Sequence, residues 1–280
     1  GKSQKSGVVS AAKIKTSKYG GGSILVANLL SELIDKFSYL INGNIKTIKL
    51  LKNYLTKPFN LNLITTQDNS INQLLIKERF IDVYSKARLF QLNQNQKFFN
   101  LKENNQKFQK TFLEKIKKFK DVIIFDFGYG YIDDNFSNLI RKKNNKFYIN
   151  CQTNSSNYGF NLFSKYQKAE ILCVDEAEFR LTVKNKDENI HDLILQNKKI
   201  LLNYKIFIVT CGAAGCYVLY NNTIEYIPTV FETTLDTTGC GDTFFSFFIY
   251  LYLQKKFSLK EIAFLSHIVA GHHGLSEGNN

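Results

Sequence analysis

From residue 121 onward the chain repeats one device, a short unbroken apolar run followed by a helical stretch. Val122-Ile123-Ile124-Phe125 is the first run, and Phe147 to Asn150, Ile171 to Val174 and Ile206 to Thr210 follow. A strand that is apolar on both faces must be covered on both faces. Such strands, separated by helices, make an α/β fold with a mainly parallel sheet and helices on either side. Ligands bind these sheets at the carboxyl ends of the strands. Asp126, Asn150, Asp175 and Thr210 all fall there. One polar residue at a strand end is ordinary loop chemistry, but four together mark a candidate site.

The first hundred residues are less regular. Val8 to Tyr19 alternates loosely and reads as a strand, broken by Gly20-Gly21-Gly22. Ser23 to Phe37 has helical periodicity, Leu74 to Tyr84 and Ala87 to Leu92 read as two strands, and Lys102 to Phe119 reads as a polar helix. We expect a single domain over residues 1–280, with a small β lid from about 8–19 and 74–92 inserted in it. There is no methionine, so Gly1 is not expected to be a native start, and Glu277-Gly278-Asn279-Asn280 reads as a cut end.

Composition narrows the function classes. No uncharged apolar stretch reaches the roughly 18 residues needed to span a bilayer. The run Thr243 to Leu253 is a buried helix instead, and no apolar leader follows the first residues. Five cysteines in no metal-type pair suggest free thiols and a reducing, cytoplasmic setting. The net charge of +13 comes almost wholly from lysine, with arginine only at Arg79, Arg88, Arg141 and Arg180. Base readout favours arginine, so the excess is a composition bias rather than a specific nucleic-acid surface. It also suits a phosphorylated substrate. His267 lies on an apolar helix and His272-His273 are adjacent, so all three read as structural, or at most near a bound nucleotide.

The segment that carries chemistry is Asp236-Thr237-Thr238-Gly239-Cys240-Gly241-Asp242, directly before the apolar helix. A glycine-rich turn opening a helix leaves several N–H groups free to point at one anion, and the helix dipole adds positive potential. Asp242 falls in the first turn, where its charge is favoured, so it should be ionised at neutral pH. It could accept the proton of an attacking hydroxyl. An aspartate capping a core helix is the bland alternative. No G-x-x-x-x-G-K-[ST] occurs, and the G-x-G at Gly239 and Gly241 lacks a third glycine, so P-loop and dinucleotide fingerprints are both unsupported.

Asp236 to Asp242 resembles the C-terminal signature D-T-x-G-A-G-D of the ribokinase-like, phosphofructokinase-B type carbohydrate kinases. The resemblance implies ATP and Mg²⁺ as cofactors. It makes Asp242 the base and Gly239, Cys240 and Gly241 an anion hole. Asp236 and Thr238 match positions that hold a monovalent cation, K⁺, in some members. Val209-Thr210-Cys211-Gly212-Ala213-Ala214-Gly215 resembles the nucleotide-binding V-T-x-G-x-x-G, which implies ATP contacts at Thr210, Gly212 and Gly215. Asp175 to Glu178 resembles N-x-x-E, with Asp175 near the nucleotide and Glu178 placing Mg²⁺ through water. Gly21-Gly22-Ser23-Ile24-Leu25-Val26-Ala27-Asn28 resembles the sugar-side G-G-x-x-N-V-A, with Leu25 where asparagine is common. The family's first strand, with its substrate-binding aspartate, is expected before Gly1.

Two stretches point to a subgroup. Asp126-Phe127-Gly128-Tyr129-Gly130 resembles the D-Y-G-x-G of heptose-phosphate kinases, and Lys77-Glu78-Arg79-Phe80 resembles their K-x-R-[FY]. They imply that Asp126 and Arg79 bind a sugar or sugar-phosphate substrate, with Arg79 gripping its phosphate. A solvent-facing strand arginine is the competing reading. A nucleoside kinase of the same fold and a non-catalytic sugar- or nucleotide-binding paralogue are the alternatives. A homodimer through the lid is the assembly to look for, with no membrane partner.

Overall fold

The computed structural model describes residues 15–42, 45–57, 61–65, 75–82, 84, 87–94, 102–154, 157–276 and 278. The first part supplies α1 (Gly22–Leu33), β1 (Phe37–Ile41), α2 (Ile45–Lys52), β2 (Leu61–Thr65), β3 (Ile76–Ile81) and β4 (Arg88–Gln94). β1 and β2 form a parallel pair, and β3 and β4 an antiparallel pair. The lid is therefore β3–β4. Of the lid strand expected over residues 8–19, residues 8–14 lie outside the described residues and 15–19 form no strand. Loose alternation without a pairing partner does not hold a strand. The helix expected to Phe37 stops at Leu33, because Ile34 turns extended and Phe37-Ser38-Tyr39 suits a strand better than a helix.

The second part follows the apolar runs closely. α3 (Lys102–Lys115) leads into β5 (Asp121–Asp126), then α4 (Asp134–Arg141), β6 (Lys146–Cys151), β7 (Ala169–Asp175), α5 (Glu176–Val183), α6 (Ile190–Leu201) and β8 (Tyr204–Thr210). A meander of β9 (Cys216–Tyr220) and β10 (Thr223–Ile227) precedes α7 (Cys240–Gln254) and α8 (Leu259–His273). The six-stranded sheet runs in the order β10-β9-β8-β7-β6-β5. β5 to β8 are parallel, and β9 and β10 turn back antiparallel.

The period-2 alternation of the strands sorts the core into two layers. Ile149, Leu172, Val174, Phe207 and Val209 face one side and meet α3 to α6. Tyr148, Ile171, Cys173, Ile206 and Ile208 face the other and meet α7 and α8. Phe245 and Phe248 of α7 are fully buried there. Each side chain of that size stabilises the fold by about 1.5–3 kcal/mol through burial. α1 packs on α7, so the first part of the chain is anchored to the helix that carries Asp242. Because β5 to β8 are parallel, Asp126, Asn150, Asp175 and Thr210 all reach one edge, and Asp175 lies beside Thr210 in register.

Candidate active site

Three elements meet at Asp242. α7 opens at Gly239, whose φ of 82° is left-handed, a conformation glycine adopts without strain. That turn places Cys240, Gly241 and Asp242 in the first helical turn, with the Cys240 N–H donating to Thr237 O at 3.2 Å. Asp242 is buried. From α1, Gly22 comes so close that a Cβ there would lie 2.6 Å from Asp242 Oδ2 and 2.9 Å from the Phe127 ring. Only glycine admits that approach. From β6, the Gln152 amide donates to Asp242 Oδ1 at 2.5 Å and also to Asn150 Oδ1.

Burial raises the Asp242 carboxyl to about 6, with the Gln152 hydrogen bond and the Lys77 charge pulling it back. The helix N-terminus led us to expect a carboxyl ionised at neutral pH. Burial raises it against that end of the helix, and a carboxyl near 6 is still mostly ionised at pH 7.

Asp175 and Glu178 form a capping box on α5. Asp175 accepts from the Glu178 N–H at 2.7 Å, and Glu178 Oε2 accepts from the Asp175 N–H at 2.8 Å. Glu178 Oε1 accepts from the Thr153 N–H at 2.7 Å. Burial and the Asp175 charge push the Glu178 carboxyl up to about 8, against those two hydrogen bonds and with Asp242 adding to the rise. Burial also raises Asp175. A buried carboxyl crowded by two others is the donor chemistry that a cation reverses. Among the described residues no three His, Cys, Asp or Glu side chains close on one point. A divalent ion would therefore be held partly by water and phosphate oxygens, as Mg²⁺ commonly is.

Of the residues expected to meet the nucleotide, Thr210 pairs in register with Asp175. Thr210 ends β8, its hydroxyl 3.4 Å from the Val174 carbonyl, and Gly212–Ala214 forms a short 3-10 turn closed by Cys211 N–H to Gly215 O at 2.7 Å. Gly241 stands open, since a Cβ there would meet nothing within 4 Å. Gly241→Val should therefore leave the melting temperature unchanged while weakening binding of an ATP analogue by about ten-fold, the worth of roughly one lost backbone hydrogen bond. Unchanged affinity in a titration would remove the turn as a phosphate cradle.

The sugar-side residues divide. Gly21 caps α1, and Gly22 abuts Asp242. Leu25 is buried in the core, and Asn28 bridges Tyr54 O and Thr56 N. Asp126 has its carboxylate engaged within the protein: Lys165 Nζ lies 2.6 Å from Oδ2, the Tyr166 hydroxyl donates to Oδ2 at 2.8 Å, and the Gly128 N–H donates to Oδ1 at 3.0 Å. It fixes the 126–130 loop. Arg79 lines a cleft of about 580 Å³ with Lys77, Gln91, Asn93, Thr153 and Asn154. Register places Lys77 opposite Asn93 and Arg79 opposite Gln91, so all four share the inner face of the lid. The Lys77 ammonium sits 5.7 Å from the centre of the Tyr129 ring, joining the two subgroup motifs in space.

Asp236 and Thr238 are not open to a cation in this arrangement. The Arg88 guanidinium pairs with Asp236 Oδ1 and donates to Thr238 Oγ1 at 2.5 Å.

Gln152, Thr153, Asn154 and Arg88 were not singled out from sequence as site residues, and Lys77 entered only as part of the Lys77–Phe80 motif. Gln152 carried a signal, since β6 runs on to Cys151 and sets it at the same strand edge as Asn150. Gln152→Leu should raise the Asp242 carboxyl further. The acid limb of the pH–rate profile should then move up, with about a five-fold loss of rate at pH 6, as expected for one hydrogen bond. An unmoved limb would remove Gln152 from the site.

Residues 85–273 match the model of the pfkB family carbohydrate kinases. The chain is 21% identical over 266 residues to the bifunctional protein HldE of Aliarcobacter butzleri, covering 92% of this chain and 53% of that one. It is 27% identical over 152 residues to HldE of Helicobacter acinonychis, covering 53% of this chain and 32% of that one. It thus spans about a third to a half of the length of these relatives. In fold it is similar to phosphofructokinase-2 from Escherichia coli in complex with potassium, with a TM-score of 0.72 at 13% identity, covering 97% and 88% of the two chains. It is also similar to ribokinase from Thermotoga maritima, with a TM-score of 0.61 at 14% identity, covering 92% and 80%. The family match covers well over half of the chain and takes in the whole Asp236–Asp242 turn, so the chain belongs to the pfkB family of ATP-dependent carbohydrate kinases, built on the ribokinase-like fold.

Proposed function

We propose that the chain transfers a phosphoryl group from ATP to a hydroxyl of a sugar that already carries a phosphate, a heptose phosphate first among candidates. The observation that carries this is the cleft under the lid. It sets Lys77 and Arg79 on one wall and amide and hydroxyl groups on the rest, and it includes no carboxylate among its lining residues. Two cations facing a polar cleft call for an anion, whereas a neutral nucleoside or free sugar would leave them without a partner.

Asp242 accepts the proton of the attacking hydroxyl as that oxygen bonds to the γ-phosphorus. The bond between γ-phosphorus and the β-phosphate oxygen breaks, and ADP leaves. The N–H groups of the 239–242 turn take up charge on the transferred group. Glu178, with Asp175 beside it, would place Mg²⁺ through water, and the ion would neutralise charge on the phosphates. Gln152 holds the base toward the cleft, and Gly22 keeps α1 close enough to exclude water from it.

A cytoplasmic setting is part of this reading, since it supplies ATP and suits the free cysteines. Ile76, Phe90 and Leu92 stay exposed on the lid, and a homodimer through that element is part of the reading. The test is a coupled ADP-release assay over heptose phosphates, hexose phosphates, free sugars and nucleosides. Turnover is expected with phosphorylated sugars. Turnover confined to free sugars or nucleosides would overturn the phosphate assignment, and none with any acceptor would overturn the kinase reading.

A further inference from the structure

One side chain of the lid bonds directly to the segment that leads into the phosphate turn. Arg88 opens β4, and its guanidinium reaches across 148 positions of sequence to Asp236 and Thr238. Those two residues stand immediately before Gly239, so whatever holds them sets where the anion-binding N–H groups point. Asp236 is otherwise held by the Thr238 hydroxyl and by backbone N–H groups. The Thr238 N–H donates to its Oδ1 at 2.8 Å, and the Gly278 N–H donates to its Oδ2 at 3.0 Å. The Asp236 N–H in turn donates to Gly274 O at 3.1 Å, and the His273 ring nitrogen lies 3.0 Å from Thr238 O. Burial works against the Asp236 charge, but these hydrogen bonds and the Arg88 charge outweigh it and keep the carboxyl below its usual range. A partly buried carboxylate with one neighbouring hydroxyl needs a single positive partner, and here the protein supplies it from the lid.

We propose that Arg88 is a positioning residue whose guanidinium does the work of a bound monovalent cation, holding the 236–238 segment and tying the position of the lid to the geometry of the phosphate turn. The substrate cleft and the nucleotide turn then communicate through Arg88, because Arg79, on the lid strand paired with β4, lies close enough to Arg88 and Asp236 to feel both charges. A phosphate drawn under the lid toward Arg79 would steady β4, and with it Arg88. This inference rests on the kinase reading only for the identity of the ligand at the turn. The Arg88 side chain is 45% exposed, so its removal should not unfold the chain.

The experiment measures binding of a non-hydrolysable ATP analogue to wild type, Arg88→Ala and Arg88→Lys. It uses choline chloride and potassium chloride buffers of equal ionic strength, with amide hydrogen exchange followed over β4. Wild type should bind within two-fold in either salt. Arg88→Ala should bind about five-fold more weakly in choline, the scale of a half-exposed ion pair. Potassium should restore it to within two-fold, and Arg88→Lys should fall between. Exchange over β4 should quicken several-fold in Arg88→Ala without any nucleotide. Equal affinity of Arg88→Ala and wild type in choline, or a loss that potassium leaves in place, overturns the proposal. If wild type binds no nucleotide, the kinase reading fails instead, and exchange over β4 still decides the latch: unchanged exchange overturns it.

Discussion

Asp242→Asn should lower kcat by about 10²–10⁴ while nucleotide affinity and melting temperature stay near wild type. The amide occupies the same volume and can still receive the Gln152 contact after an amide flip, so the fold loses little. What it cannot do is take the hydroxyl proton. The pH profile supplies a second reading of the same group. Burial raises this carboxyl to about 6 in the free protein. The base is active when ionised, so kcat/KM should be level above about pH 7 and should fall ten-fold per unit well below 6. The residual activity of Asp242→Asn should lack that acid limb. Activity of the variant within a few-fold of wild type, or an acid limb that survives the substitution, would take the base role away from Asp242.

What was legible in the sequence follows from range. The four parallel strands β5 to β8 were legible because each is a local apolar run, and the helix carrying Asp242 because glycines and an apolar stretch are adjacent in the chain, whereas the antiparallel β9 and β10 at the sheet edge were not expected. The N–H turn could be placed for the same reason. The strand expected over residues 8–19 failed in its described part, since alternation without a partner strand does not specify pairing. The parallel pair β1–β2 was missed, because Leu61–Thr65 is short and its partner lies some twenty residues earlier. The partners of the charged groups were the least legible. Asp126 finds Lys165 about forty residues on, and Asp236 finds Arg88 on the lid. No spacing rule links such pairs. The direction of the Asp242 shift was hidden too. A helix N-terminus is visible in sequence, but the burial that overrides it comes from α1, β6 and the lid closing on one carboxylate.

Arg79→Ala should raise KM for a phosphorylated sugar by roughly ten- to a hundred-fold and leave kcat nearly unchanged. Arg79 stands on the inner face of β3, two residues from Lys77 and opposite Gln91. Partial enclosure, and then the nearby Arg88 charge, lower its pKa, while Asp236 opposes them. Two guanidinium groups crowded under one lid gain when an anion arrives between them. The gain from one charge-assisted contact is about 1.5–3 kcal/mol, which converts to the stated range. The contact grips a phosphate present in both substrate and transition state, so it should act on binding rather than on the chemical step. The unphosphorylated analogue has nothing for Arg79 to hold, and its KM should move less than two-fold. Steady-state kinetics on the two acceptors, with wild type and variant side by side, measures the difference directly. Equal losses on both acceptors would mean that Arg79 supports the lid rather than the phosphate. No loss on either would leave it a solvent-facing strand residue, and the cation of the cleft would then be Lys77 alone.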